Sequence, residues 1–78
     1  MRKDFITFRS ITPAQRAQYF LRRIGVETVL QRTPVFLRER GCSYCLRLDS
    51  KDTDRAAAML DDAGITYNRI YKGGEIMP

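Results

Sequence analysis

The stretch Asp4–Val26, DFITFRSITPAQRAQYFLRRIGV, decides the fold. Its first part, Asp4–Arg9, is short, aromatic and β-branched, and reads as a strand. Ser10-Ile11-Thr12-Pro13 reads as a helix start, with Thr12 as the expected N-cap and Pro13 at the first helical position, where its missing N–H costs nothing. Ala17, Phe20, Leu21 and Ile24 follow at i, i+3, i+4 and i+7, the stripe of an amphipathic helix. Gly25 then stops the helix, and Val26–Gln31 (VETVLQ) alternates as a second strand would.

The second half of the chain repeats that plan. Tyr44–Asp49 (YCLRLD) reads as a strand, and Ser50 or Asp52 can cap a helix carrying Ala56, Met59, Leu60 and Ala63 on one face. Gly64 stops it, and Ile65–Tyr71 (ITYNRIY) makes a last strand. Both helices end alike, in Ile24-Gly25-Val26 and Ala63-Gly64-Ile65. The simplest closure of β-α-β-β-α-β is an α+β, ferredoxin-like two-layer sandwich: a four-stranded antiparallel sheet, order 4-1-3-2, with both helices on one face.

At 78 residues the chain holds one domain, expected over 1–72, with 73–78 as a flexible tail. A hydrophobic content of 44% with 29% charged residues is ordinary globular composition, which argues against disorder or a disulfide scaffold. No apolar run approaches the roughly 20 residues of a membrane span, and no signal-peptide pattern opens the chain, so the cytoplasm is the expected location. There is no His, which excludes imidazole zinc ligands, His general bases and Ser–His or Cys–His nucleophile pairs. No cofactor and no metal are expected, and so small a domain has little room for a large catalytic pocket.

Charge is unevenly placed. Residues 1–48 carry ten Lys/Arg against Asp4, Glu27 and Glu39, whereas residues 49–78 carry four against six acids. Eleven of the fourteen cations are Arg, the side chain that grips phosphate or carboxylate bidentately. The basic half therefore suggests an anionic partner, either nucleic acid or an acidic protein surface.

Between the second and third strands lies Arg32–Ser43, RTPVFLRERGCS, too long for a tight hairpin in so small a domain. In the 4-1-3-2 order its end, Gly41-Cys42, falls beside the end of the first strand, near Ser10, Thr12 and the positive end of the first helix. Cys42 and Cys45 are the natural nucleophiles, spaced C-x-x-C. Leu46 and Leu48 should face the helices, so Cys42 and Tyr44 share that side while Cys45 and Arg47 face away. Cys42 follows Arg38-Glu39-Arg40-Gly41, an electropositive approach of the kind that lowers a thiol pKa. Cys45, inside the strand, reads first as a small buried hydrophobe.

Other C-x-x-C chemistries fit less well. A thioredoxin-type motif opens a helix, and this one opens a strand. Soft-metal carriers of this topology hold their cysteines after the first strand, where this chain has Ser10-Ile11-Thr12. A closed zinc site would need two copies of the chain. A disulfide within the pair would need a turn through Ser43-Tyr44.

Phe5-Ile6-Thr7-Phe8-Arg9-Ser10, the helix ending in Gly25, the Arg32-Thr33-Pro34 turn, the Gly41-Cys42 strand entry and Asp62-Ala63-Gly64-Ile65 together resemble the selenium/sulfur carrier protein-like family, over roughly residues 4–71. The most specific element of the resemblance is the Cys before the third strand, which Cys42 matches. Ser43 stands where Gly is more frequent, and Cys45 where many relatives have a small residue. The resemblance implies a protein that holds sulfur or selenium on Cys42 as a persulfide-type adduct and relays it between donor and acceptor proteins. It leaves Cys45 as a candidate resolving thiol, with Arg9, Arg38, Arg40, Gly41, Ser43 and Thr12 as candidate binding residues around the thiolate.

Three features could mislead. Gly73-Gly74 is followed by Glu75-Ile76-Met77-Pro78, so it offers no terminal Gly carboxylate of the ubiquitin-like type. Arg22-Arg23 reads as a solvated helix face. Asp61-Asp62 ends a helix with no third ligand nearby. The sheet face away from the helices would carry Phe5, Thr7, Arg9 and Arg47, with Tyr67, Arg69 and Tyr71 on the same side. Aromatics among arginines can stack bases. However, the aromatic motif of the common RNA-recognition module is absent, and covering by a second copy of the chain, a homodimer, ranks ahead of nucleic acid. The leading reading is thus a non-catalytic thiol carrier on Cys42; the alternatives are a nucleic-acid-binding module on the open sheet face and an interaction protein with structural cysteines.

Overall fold

A computed structural model describes residues 2–35, 41 and 43–73. Strand β1 (Lys3–Phe8) leads into helix α1 (Ile11–Arg23); β2 (Val29–Arg32) and β3 (Tyr44–Asp49) follow, then a short 3-10 turn at Ser50–Asp52, helix α2 (Thr53–Asp62) and β4 (Arg69–Tyr71). The sheet order is β2-β3-β1-β4 with every pairing antiparallel, the expected 4-1-3-2 arrangement of a ferredoxin-like α+β fold. The central pair runs in register from Lys3↔Asp49 to Phe8↔Tyr44.

The core lies between the helices and one face of the sheet. Ile6 and Phe8 of β1 and Leu46 and Leu48 of β3 meet Ala14, Ala17 and Leu21 of α1 and Ala56 and Leu60 of α2, all sealed from solvent. Phe20, Ile24, Met59 and Ala63 pack at its margin, so both helical stripes read from the sequence are used.

The two helices finish on the same hydrogen-bonded motif, which explains the repeated Gly. In α1 the Gly25 N–H donates to Arg22 O at 3.1 Å and the Val26 N–H to Leu21 O at 2.9 Å; in α2 Gly64 and Ile65 do the same to Asp61 O and Leu60 O at 3.1 and 2.9 Å. This is the Schellman closure, which needs a left-handed residue at the turn. Gly25 (φ +80°) and Gly64 (φ +71°) supply it. Val26 and Ile65 then drop into the core beneath their helices. For that reason β2 begins at Val29 instead of Val26, and β4 at Arg69 instead of Ile65.

The start of α1 also corrects an expectation. Ser10, in extended conformation (φ −144°), is the N-cap residue, and the helix begins at Ile11, two residues before Pro13. Thr12 is therefore inside the first turn and is not the cap. Pro13 is tolerated there because the first four helical N–H groups lack intrahelical acceptors in any case. For α2, Asp52 occupies the N-cap position without a side-chain cap bond.

Across the sheet, the first residue of α2 is tied to β1. Asp4 is 1% exposed, and its carboxylate accepts hydrogen bonds from the Thr53 hydroxyl (2.6 Å), the Ser50 hydroxyl (2.7 Å) and the Gly73 N–H (2.7 Å). The chain is thus fixed at Gly73, one residue into the segment read as a tail; the remainder, 74–78, lies outside the described residues.

Candidate functional site

The sheet brings four chain segments to one end: the end of β1, the start of α1, the end of β2 and the start of β3. Tyr44, the first residue of β3, is paired with Phe8 on one side and Arg32 on the other. The ladder reaches one step further, because the Thr33 N–H donates to Ser43 O at 3.0 Å. Ser43 is half-buried there, and Arg9, following Phe8, is exposed. Gly41 has φ +83°, a left-handed backbone that glycine adopts without strain. Thr12 is exposed in the first turn of α1. Cys42, Arg38 and Arg40 lie outside the described residues. The polypeptide that follows Cys42 is therefore anchored to a defined place: Ser43 is held in the ladder, and β3 starts beside the end of β1. Over the ring of Tyr44 sits the guanidinium of Arg32, 5.2 Å from the ring centroid.

Cys45 belongs to a different environment. It is a free thiol on the sheet face opposite the helices, opposite Thr7 on β1 and Gln31 on β2. It is nonetheless 0% exposed. Burial pushes its pKa up to about 11, and the Thr33 hydroxyl and the Arg47 charge pull it only part of the way back. A group so placed is almost entirely protonated at neutral pH, and a thiol is a poor nucleophile compared with its thiolate.

That face is less open than the alternation suggests. Thr7 is also sealed; its hydroxyl accepts from the Arg69 N–H at 3.1 Å and donates to Arg69 O at 3.2 Å, fastening β4 to β1. Phe5, Arg47, Arg69 and Tyr71 share the face by register. Two residues expected there do not. Tyr67 precedes β4 and packs against the core on the helix side, and Arg9, beyond the end of β1, lines a groove with Pro13, Arg16 and Tyr67. Strand parity fails at both because neither is in a strand. Arg16, which the sequence reading passed over, carries no motif, and Thr33 entered only as part of the Arg32-Thr33-Pro34 turn; only the fold brings them beside Arg9 and Cys45.

A small ferredoxin-like α+β domain with a cysteine at the loop entry to its third strand is the class of protein that these features define. The chain belongs to the family described as "Putative Se/S carrier protein-like", whose model matches residues 3–72. That match spans all four strands and both helices. Comparison with curated proteins and with solved structures finds no match. Among the described residues, no helix is long and apolar enough to cross a membrane.

Proposed function

We infer that this protein is a sulfur or selenium carrier in which Cys42 is the thiol that takes up and gives away the chalcogen, without turnover of its own. The family match over residues 3–72 carries the reading. The contrast between the two thiols supports it. Cys45, with a pKa pushed up to about 11, is suited to packing and not to attack, which leaves Cys42 as the nucleophile. Arg38 and Arg40 precede Cys42 in sequence, and positive charge near a thiol favours its ionised form.

In the carrier step, the Cys42 thiolate attacks the outer sulfur of a donor persulfide. A new S–S bond forms on Cys42, the donor S–S bond breaks, and the donor departs as a thiolate. No oxidant is consumed, because one persulfide replaces another. Delivery is the same exchange with an acceptor thiolate. A selenium atom would move by the same displacement. Resolution by Cys45 would require that thiol to come out of its buried position.

The experiment is sulfur loading from a low-molecular-weight persulfide, read by intact and peptide mass spectrometry. Wild type should gain one sulfur atom on the Cys42 peptide; Cys42→Ser should gain none, and Cys45→Ala should load as wild type. A Cys42 that neither loads nor alkylates faster than Cys45 in the folded protein overturns the reading.

A further inference from the structure

Outside the thiol region, the described surface holds a groove whose charged lining residues are all arginines. It lies between the start of α1 and the segment entering β4, has a volume of about 500 Å³, and is lined by Arg9, Pro13, Arg16, Ile65, Tyr67 and Asn68 among others. We propose that this groove is a binding site for a small molecule bearing an oxyanion, phosphate or carboxylate, held between the guanidinium groups of Arg9 and Arg16.

Three observations converge on that ligand chemistry. First, among the described residues no acidic side chain lines the groove; Asp61 lines an adjoining hollow of about 330 Å³ that shares the segment Gly64–Tyr67 with it. Second, among the described residues Arg9 and Arg16 form no ion pair, whereas Lys3, Arg55 and Lys72 each meet a carboxylate. Two unpaired guanidiniums brought into one concavity repel each other and gain most from an anion accepted between them, each able to present two parallel N–H donors. Third, the walls are firm. Tyr67 packs on the core, Ile65 is 4% exposed, and the Asn68 N–H is fixed to Thr7 O at 2.7 Å. Pro13 and Tyr67 give the groove an apolar side against which the body of an organic anion can lie. The volume is that of a small-molecule site, which favours a compact ligand over an extended acidic peptide.

This site does not require the carrier thiol, so the test is made on the full chain carrying Cys42→Ser, and its outcome is separate from sulfur loading. Inorganic phosphate, citrate and a glutamate-rich peptide are titrated at constant ionic strength while backbone amide shifts are followed. Saturable shifts confined to residues around Arg9–Arg16 and 64–68, with phosphate or citrate, are expected; whichever of the two saturates first identifies the source of the oxyanion. Arg9→Gln and Arg16→Gln should each weaken binding about tenfold, the loss of one charge-assisted contact. Arg16→Lys, which keeps the charge but not the fork, should fall between. Arg22→Gln/Arg23→Gln, at the other end of α1, should stay within about twofold of the parent. Non-saturating shifts spread over all basic surfaces, equal responses from the two pairs of arginines, or saturation by the peptide alone would overturn the proposal.

Discussion

The Thr53 hydroxyl donates a 2.6 Å hydrogen bond to the Asp4 carboxylate, so the first residue of α2 is fastened to the second residue of β1. The Ser50 hydroxyl and the Gly73 N–H complete the cluster, and Lys72 approaches to 3.7 Å. One buried carboxylate therefore ties together β1, the entry to α2 and the exit of β4. Removing it leaves three donors without their acceptor. Asp4→Ala should cost about 2–4 kcal/mol of folding stability, seen as a lower urea midpoint with little change in slope.

The same cluster sets the acid limb of stability. Burial alone would raise the Asp4 pKa, but the bonds from Thr53, Gly73 and Ser50 and the Lys72 charge together outweigh it and hold the carboxyl below its ordinary 3.8. The unfolded chain then takes up the proton at higher pH than the folded one. The stabilisation is fully present above the unfolded value and is lost as pH falls below about 4 through the folded value. Asp4→Asn should flatten this part of the stability profile, measured as urea midpoints against pH. An unchanged acid limb would place the titration elsewhere, with Asp49, lowered by its hydrogen bond to Lys3, the other group to test.

Gly73 is required for a different reason from Gly25 and Gly64. A Cβ added at Gly73 would collide with the backbone carbonyl of Lys3, whereas at Gly25 and Gly64 it would meet nothing and only the positive φ opposes a side chain. Gly25→Ala and Gly64→Ala should each cost about 1–2 kcal/mol, the penalty of a left-handed residue. Gly73→Ala should cost a similar or larger amount through overpacking and should also weaken the Asp4 cluster. Combining Gly73→Ala with Asp4→Asn should therefore cost less than the two separate losses together, whereas Gly25→Ala with Asp4→Asn should be additive.

Those glycines also mark what was legible in the sequence. A helix ending in Gly and an apolar stripe of period near four are local signals, and both helices and the strand order followed from them. Val26 and Ile65 are β-branched and were counted as strand because the same residue type that builds a strand also serves as the apolar lid of a Schellman turn. The Asp4 cluster left no local trace, since its partners lie 46, 49 and 69 residues away. Alternation put Cys45 on the far side from the helices, and its residue type inside a strand anticipated the burial found there. Cys42 stood out through loop length, neighbouring arginines and the family resemblance; the arginine groove did not, because Arg9 and Arg16 share no motif and meet only once α1 packs beside the segment before β4.

Cys45 provides the last prediction. Its thiol is 0% exposed and its pKa is raised to about 11 from an ordinary 9.0, so the folded state holds the proton more tightly than the unfolded chain. The stabilisation is fully present below the unfolded value and is lost as pH rises from about 9 towards 11. In a Cys42→Ser protein, where Cys45 is the sole thiol, iodoacetamide should label slowly at neutral pH and at the rate of a free cysteine once urea unfolds the chain. The alkaline limb of stability should flatten on Cys45→Ala, at a cost of about 1 kcal/mol for the small cavity left between Thr7, Gln31 and Thr33. Rapid labelling in the native protein, at a rate independent of urea below the unfolding transition, would mean that Cys45 is reached without opening the sheet and is available to resolve an adduct on Cys42.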